Sequence, residues 1–223
     1  MDRLLQQMQV RINEKIYIKD PESSDLGRRI ITEGILLIDQ IGFDQFTFKK
    51  LGVIIQSNES SIYRYFENKH KLLLYLTSWY WGWLEYVLVI RTMQIQNPTD
   101  KLNEAILVLT QTINEDSNFN HINEVALQRI VISEYSKSYL TKEVDAENKK
   151  GYFEIYTRLG DRLKEMILGV SPDYNFASSL SSTILEGGLH QHFLKEHFTM
   201  LTDCSDTVTP TDYFIHMATK LLS

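Results

Sequence analysis

The sequence predicts an all-α chain, and three observations carry that prediction. Apolar residues recur at three- and four-residue spacing along most of the length, the period that lines one face of a helix. No run alternates apolar and polar residues in the way a half-buried strand does. The 223 residues include only 4 prolines and 10 glycines, too few turn-formers for a loop-dense sandwich or barrel. Apolar usage of 43% and charged usage of 23% are ordinary for a globular chain and exclude disorder or a collagen-like repeat. The length suits one large domain, or a small domain joined to a medium one.

The elements follow in order. Asp20-Pro21-Glu22 reads as an N-cap, a proline at the first helical position and an acidic first turn. Leu26, Ile30, Gly34, Leu37, Ile38 and Ile41 keep helical spacing from there, over about twenty residues. Gly42 sits where a helix stops in the left-handed conformation, with Phe43 placed to pack back. Thr47 caps a short helix that buries Leu51, Ile54 and Ile55. Gln56-Ser57-Asn58 breaks the pattern, and Asn58 caps a second short helix, Glu59 to Phe66, carrying Ile62 and Phe66 inward. Asn68 caps a long helix to about Gln94, and Pro98-Thr99-Asp100 opens another that ends near Asp116. Further segments run from about His121 to Leu140, Lys142 to Leu168, Pro172 to His197 and Pro210 to Leu222. The total is about nine helices.

One of these segments has the length of a membrane span. Leu72 to Ile90 is 19 residues with Glu85 as its only charge. Its tryptophans, Trp79, Trp81 and Trp83, cluster at the middle, however, whereas spans place tryptophan at the two interfaces. Thr77, Ser78, Gly82 and Glu85 dilute it further, so it reads as a buried central helix and no membrane partner is expected. The first twenty residues carry charges throughout and lack the apolar stretch of a secretory signal. Cys204 is the only cysteine and cannot form an internal disulfide, which fits a reducing, cytoplasmic compartment. Residues 1–19 are charged and amphipathic and suit an extra helical arm.

Charge divides the chain. Residues 24–75 hold seven basic groups against six acidic ones, whereas residues 76–223 hold 12 against 19. With a net charge of −6 there is no global attraction to a polyanion, so only the front could face one. There the spacing is helix, short helix, three-residue break, short helix, which is the helix-turn-helix pattern. If Ile62 and Phe66 face inward, then Glu59, Ser60, Ser61, Tyr63, Arg64 and Tyr65 fall toward the outside or flanks. Small hydroxyls let a helix approach a groove closely, Tyr63 adds a rigid arm ending in a donor, and Arg64 adds charge. Lys69, His70 and Lys71 sit in the first turn of the next helix, where the macrodipole disfavours cations. That placement suggests a bound anion, and a phosphate clamp is one reading. Lys49 and Lys50 could hold a flanking phosphate. Taken alone, such lysines read better as solvated surface; combined with the helix-turn-helix spacing, they favour the clamp.

The stretch Ile30 to Leu73, with Thr47-Phe48-Lys49-Lys50-Leu51-Gly52 and Ser61-Ile62-Tyr63-Arg64-Tyr65-Phe66-Glu67-Asn68-Lys69-His70-Lys71-Leu72-Leu73, resembles the DNA-binding domain of TetR-family transcriptional regulators. Roughly fifty residues match, and Ile62 to Lys69 is the most specific part. The resemblance implies a helix-turn-helix DNA-binding domain over residues 20–67 and a helical ligand-binding and dimerisation domain over residues 68–223. It implies a cytoplasmic homodimer that binds a double-stranded DNA operator, most simply a repressor released by a small hydrophobic or aromatic effector, with no cofactor. Thr47 and Lys49 then correspond to phosphate contacts, Ser60, Ser61, Tyr63 and Arg64 to base or backbone contacts, and Lys69 to the phosphate lysine of the motif. Two positions depart from the family pattern. Gln56 replaces the turn glycine, and Glu59 stands where a basic or polar residue is usual. A carboxylate there repels phosphate but could accept from a cytosine amine.

The rear segments support part of this independently. Phe176 to Phe198 is rich in small residues, including Gly187 and Gly188, and mid-helix glycines cost about 1 kcal/mol each relative to alanine. Such a cost suits a close backbone approach. That helix and the last one, with Tyr213, Phe214, Met217 and Leu221, are expected to form a two-fold interface, tight packing within one chain being the alternative. For the effector, Trp79, Trp83 and Tyr86 share a stripe of the central helix, and Tyr135, Tyr139, Tyr152 and Tyr156 lie on neighbouring segments. Ordinary core packing accounts for most such rings. No nucleophile elbow, dinucleotide fingerprint or phosphate loop is present, and Glu186, His190, His192 and His197 lack the spacing of a metal set. No catalysis and no metal are expected. The other class of function the sequence allows is a helical small-molecule-binding or membrane-associated protein whose helix-turn-helix is vestigial.

Overall fold

The computed structural model describes residues 10–113 and 121–223. Among these residues there are eleven α-helices and no strand. They are α1 (Asp25–Gln45), α2 (Phe48–Ile54), α3 (Glu59–Ile62), α4 (Lys69–Thr92), α5 (Pro98–Thr110) and α6 (Glu124–Glu134). The others are α7 (Ser136–Tyr139), α8 (Val144–Lys149), α9 (Glu154–Val170), α10 (Ala177–His197) and α11 (Pro210–Leu222). The count exceeds nine because two expected helices are each broken once. The 121–140 segment divides between α6 and α7 at Tyr135, and the 142–168 segment divides at Gly151, whose φ of 81° no α-helix accommodates. The end expected near Asp116 lies outside the described residues. Helix α5 itself stops at Thr110, where Gln111 turns extended.

The chain divides into two compact units, Met1–Gly82 with Ile113–Glu154, and Trp83–Thr112 with Ile155–Ser223. In the first unit the Asp20-Pro21 signal starts a short 3-10 turn, Pro21–Ser23, and not α1 itself. The turn lies so close to Gly27 that a Cβ there would sit 2.1 Å from the Pro21 carbonyl oxygen. Ser24 then caps α1, accepting from the Gly27 N–H. Ile30, Ile31, Ile35 and Ile38 of α1 are buried and the helix packs on α6, where Leu127, Ile130 and Val131 are also buried. Arg129 clamps the pair from outside through two bonds to the Asp39 carboxylate, of 2.9 and 2.6 Å. Gly42 has a φ of 76°, so α1 kinks there, and Phe43 folds back to be buried as expected.

Every residue from Lys71 to Glu85 of α4 is buried, the reason for its nearly unbroken apolar run. No helix among the described residues is long and apolar enough to cross a membrane. In the second unit the single charge of that run is neutralised. Arg158 donates to both Glu85 oxygens at 2.7 and 2.5 Å, and Arg162 adds a third bond of 2.7 Å.

Helices α5, α10 and α11 pack on one another in this second unit, and the two glycines explain how. A Cβ on Gly187 would come within 2.6 Å of the Phe214 ring, and one on Gly188 within 2.9 Å of the Thr110 methyl. Gly187, Gly188 and Phe214, expected at a two-fold interface, thus meet residues of their own chain. The close approach is between helices of the same chain, and Phe214 is buried inside it. Met217 is half-buried. The Thr110 and Thr211 hydroxyls bond at 2.9 Å, and His192 Nε2 donates to the Thr110 carbonyl at 2.8 Å.

Candidate nucleic-acid interface

The first unit builds a helix-turn-helix from local rules. The Thr47 hydroxyl accepts the Lys50 N–H at 3.2 Å and starts α2, which buries Phe48, Leu51 and Gly52. Thr47, Lys49 and Lys50 are exposed, and the Lys50 ammonium donates to the Gln45 carbonyl at 2.8 Å. Gln56 then turns the chain at a φ of 51°, the left-handed region that glycine would occupy at least cost. A Cβ does not forbid that backbone; it costs about 1–2 kcal/mol. The glycine the turn does need is Gly52. The Ser57 N–H donates to the Gly52 carbonyl at 2.9 Å, and a Cβ on Gly52 would meet the Ser57 oxygen at 2.8 Å.

Asn58 caps α3, its side-chain oxygen accepting from both the N–H and the hydroxyl of Ser61, each at 2.8 Å. Ser61 is thus committed to the cap. The α-helical pattern ends at Ile62, earlier than Phe66, and hydrogen-bonded turns continue the chain. Ile62 and Phe66 are fully buried as expected. Ser60 and Arg64 are exposed, and Tyr63 is 46% exposed. The Tyr63 ring rests edge-on against Phe48, centroids 5.1 Å apart, and its hydroxyl donates to Glu59 Oε1 at 3.3 Å. Desolvation, and then the Glu59 carboxylate, hold that hydroxyl above the ordinary tyrosine pKa, so it remains a donor. Tyr65 departs from the expected outward placement. It is buried, its hydroxyl paired with Ser24 at 2.7 Å.

The cations at the start of α4 also differ from expectation. Asn68 caps the helix through the Lys71 N–H at 2.9 Å, as the sequence indicates. The Lys69 ammonium, however, donates to the carbonyls of Phe43, Asp44 and Phe46 at 2.9, 3.2 and 3.3 Å. An ammonium has three protons, and these acceptors use all of them. The structure places the Lys69 ammonium, read as the phosphate lysine of the motif, on the end of α1, where a cation meets the negative pole of the helix. The anion implied by the crowded first turn is the protein's own Glu147, bonded by His70 Nε2 at 3.0 and 3.2 Å and paired with Lys71 at 3.7 Å. Lys71 also lies 3.9 Å above the Tyr152 ring. Lys49 and Arg64 remain as outward cations on the helix-turn-helix face.

Sequence reasoning missed the strap that holds this head. Residues 10–18 contain one short 3-10 turn, Glu14–Ile16, where a helical arm was expected; residues 1–9 lie outside the described residues. The Ile18 N–H donates to the Tyr65 carbonyl at 2.8 Å, Asn13 Nδ2 to the Lys150 carbonyl at 2.9 Å, and the Tyr152 hydroxyl to the Lys15 carbonyl at 3.1 Å. Ile12 and Ile16 of this strap are buried.

The five aromatics expected at a pocket fall in both units. Trp79, Tyr135 and Tyr139 belong to the first unit, and Trp83 and Tyr86 to the second. Tyr135 and Tyr139 pair with each other at 5.5 Å, and Trp83 is buried as core. Trp79 does line a cleft of about 480 Å³, with Tyr17, Tyr75, Arg28, Glu22 and His121 among the other walls. Glu22 accepts there from His121 Nε2 at 3.0 Å. Among the described residues no three His, Cys, Asp or Glu side chains are grouped to hold a metal. Glu186 instead accepts from the Tyr156 hydroxyl at 2.5 Å.

No family model and no curated protein matches the chain by sequence. Solved structures do match it by fold. A regulatory protein of the TetR family from Rhodococcus RHA1 superposes with a TM-score of 0.60 at 14% identity, over 90% of this chain and 98% of that one. AibR, solved in complex with isovaleryl coenzyme A and operator DNA, gives 0.57 at 18% identity over 85% and 96%. The TetR-family regulator PfmR from Thermus thermophilus gives 0.55 at 12% identity over 87% and 97%. The fold of this chain is TetR-like.

Proposed function

We propose that this chain is a sequence-specific DNA-binding transcriptional regulator, acting in the cytoplasm as a homodimer. Residues 20–67 form its reading head and residues 68–223 its effector-binding and dimerisation part. The observation that carries this reading is the helix-turn-helix face. Ile62 and Phe66 anchor α3 from inside, and Ser60, Tyr63 and Arg64 stand outside it with Thr47 and Lys49 beside them. Lys49 and Thr47 hold the phosphate backbone and set the register, and Ser60, Tyr63 and Arg64 meet the groove. One short α3 reads few bases, so two heads on related half-sites are needed for specificity.

AibR, which shares the fold, was solved with operator DNA and an acyl thioester of coenzyme A. That supports a regulator whose operator affinity is set by a small molecule, and the simplest logic is a repressor released by its effector. Trp79 and Tyr75 of the effector-binding part supply aromatic surface for such a molecule in the first unit, and Glu22 and Arg28 of the reading head, with Tyr17 just before it, complete the cleft. The dimer is supported by apolar surface on the second unit, where Tyr213 and Leu221 of α11 remain exposed. Selection of duplexes from a random pool by the purified full chain tests the reading. Enrichment of a two-fold related pair of half-sites is expected, and recovery of no preferred duplex would refute it.

A further inference from the structure

Glu59 is an anomaly on a surface meant for a polyanion. It belongs to α3, on the same face as Ser60, Tyr63 and Arg64, and its carboxylate makes no ion pair with a basic side chain among the described residues. Among the described residues its carboxylate has one bond, from the Tyr63 hydroxyl to Oε1. Tyr63 is itself steadied by the edge contact with Phe48, which α2 buries. The pair is therefore a positioned acceptor, with one carboxylate oxygen held and the other free to accept.

An acceptor of that charge has a narrow choice of partner on DNA. Phosphates and sugar oxygens offer it no proton, so close approach to the backbone only repels. In the major groove, proton donors on base edges are the N4 amine of cytosine and the N6 amine of adenine. Adenine carries the N7 acceptor beside its amine, which opposes a carboxylate lying across that edge. Cytosine carries only a C–H there. Resting on the DNA-binding reading, we propose that Glu59, oriented by Tyr63, accepts from the N4 amine of a cytosine in each operator half-site and so sets the base at that position. A wrong base then leaves a carboxylate in the groove with no donor, so discrimination comes from rejection as much as attraction.

The test uses the duplex selected by the full chain, with every cytosine of one half-site changed in turn and in both strands. For the unaltered protein, replacing one particular cytosine should weaken binding by about 5- to 150-fold, the range of a single lost base contact. In Glu59→Gln that penalty should vanish at this position alone, and adenine should become the preferred base, since an amide pairs with both N6 and N7. Tyr63→Phe, which keeps the ring but loses the bond to Oε1, should reduce the same discrimination without abolishing it. Equal penalties at every cytosine in the unaltered protein and Glu59→Gln overturn the assignment of Glu59 while leaving the DNA-binding reading intact. Failure to select any duplex overturns both.

Discussion

At the scale of single residues, the turn of the helix-turn-helix carries a cost that the sequence displays openly. A glycine is absent where left-handed backbone is needed, and Gln56 accepts it at a φ of 51°. Gln56→Gly relieves about 1–2 kcal/mol of steric cost against about 0.5–1 kcal/mol of added unfolded-chain freedom. Urea unfolding should show a net gain of about 0.5–1 kcal/mol, and a loss of stability would show that the turn is not strained. The departure was legible because a residue type and a local conformation are linked at one position. His192 was not legible in that way. Its ring is coupled to the Thr110 carbonyl, 82 residues away in sequence. Burial, the largest cause, lowers its pKa below the ordinary histidine value of 6.5. The unfolded chain therefore binds this proton more readily, and stability from this group is present above about pH 6.5 and is lost as pH falls through that value toward the folded one. Unfolding free energy should drop between about pH 7.5 and 5.5 less steeply in His192→Gln than in the unaltered chain. Equal slopes would remove His192 as a contributor.

At the scale of elements, most helices were legible from capping residues and apolar period, and α11 begins at Pro210 and ends at Leu222 as read. The breaks were less so. Gly151 could be seen as a glycine, whereas nothing local at Tyr135 separates α6 from α7. The start of α4 shows the limit most clearly. The sequence places three cations in its first turn and so demands an anion or acceptors, but it cannot say which. The answer lies 23 to 26 residues back for Lys69 and 77 residues on for His70. Lys69→Met removes the cap from the end of α1 and should lower stability by about 1.5–3 kcal/mol, the range for hydrogen bonds to a charged group. Its effect on DNA binding should leave the slope of log affinity against log salt unchanged. A slope reduced by about one would mean that Lys69 holds a phosphate after all.

At the scale of the whole molecule, the all-α class and the TetR-like fold were legible because one fifty-residue motif is local in sequence, and local contacts are what a sequence encodes most directly. The assembly was not. Small residues on α10 announce that another backbone comes close, yet the same signal serves a neighbour in the chain or a second protomer, and here Phe214 and Thr110 are the neighbours. The apolar surface that does remain is partly elsewhere, with Met200 94% and Leu201 68% exposed after α10. The pocket aromatics show the same limit. A stripe on one helix fixes which rings share a face, not which cleft they line.

The central claim is that the outward face of α3 reads DNA, and Tyr63 is its most prominent side chain. Equilibrium binding of the full chain and of Tyr63→Ala to the selected duplex, at matched salt, tests it most directly. The account predicts a loss of about tenfold or more, equivalent to about 1.4 kcal/mol, with the fold and oligomeric state retained and a small fall in melting temperature from the lost ring contact with Phe48. Identical affinities for the two proteins would contradict it.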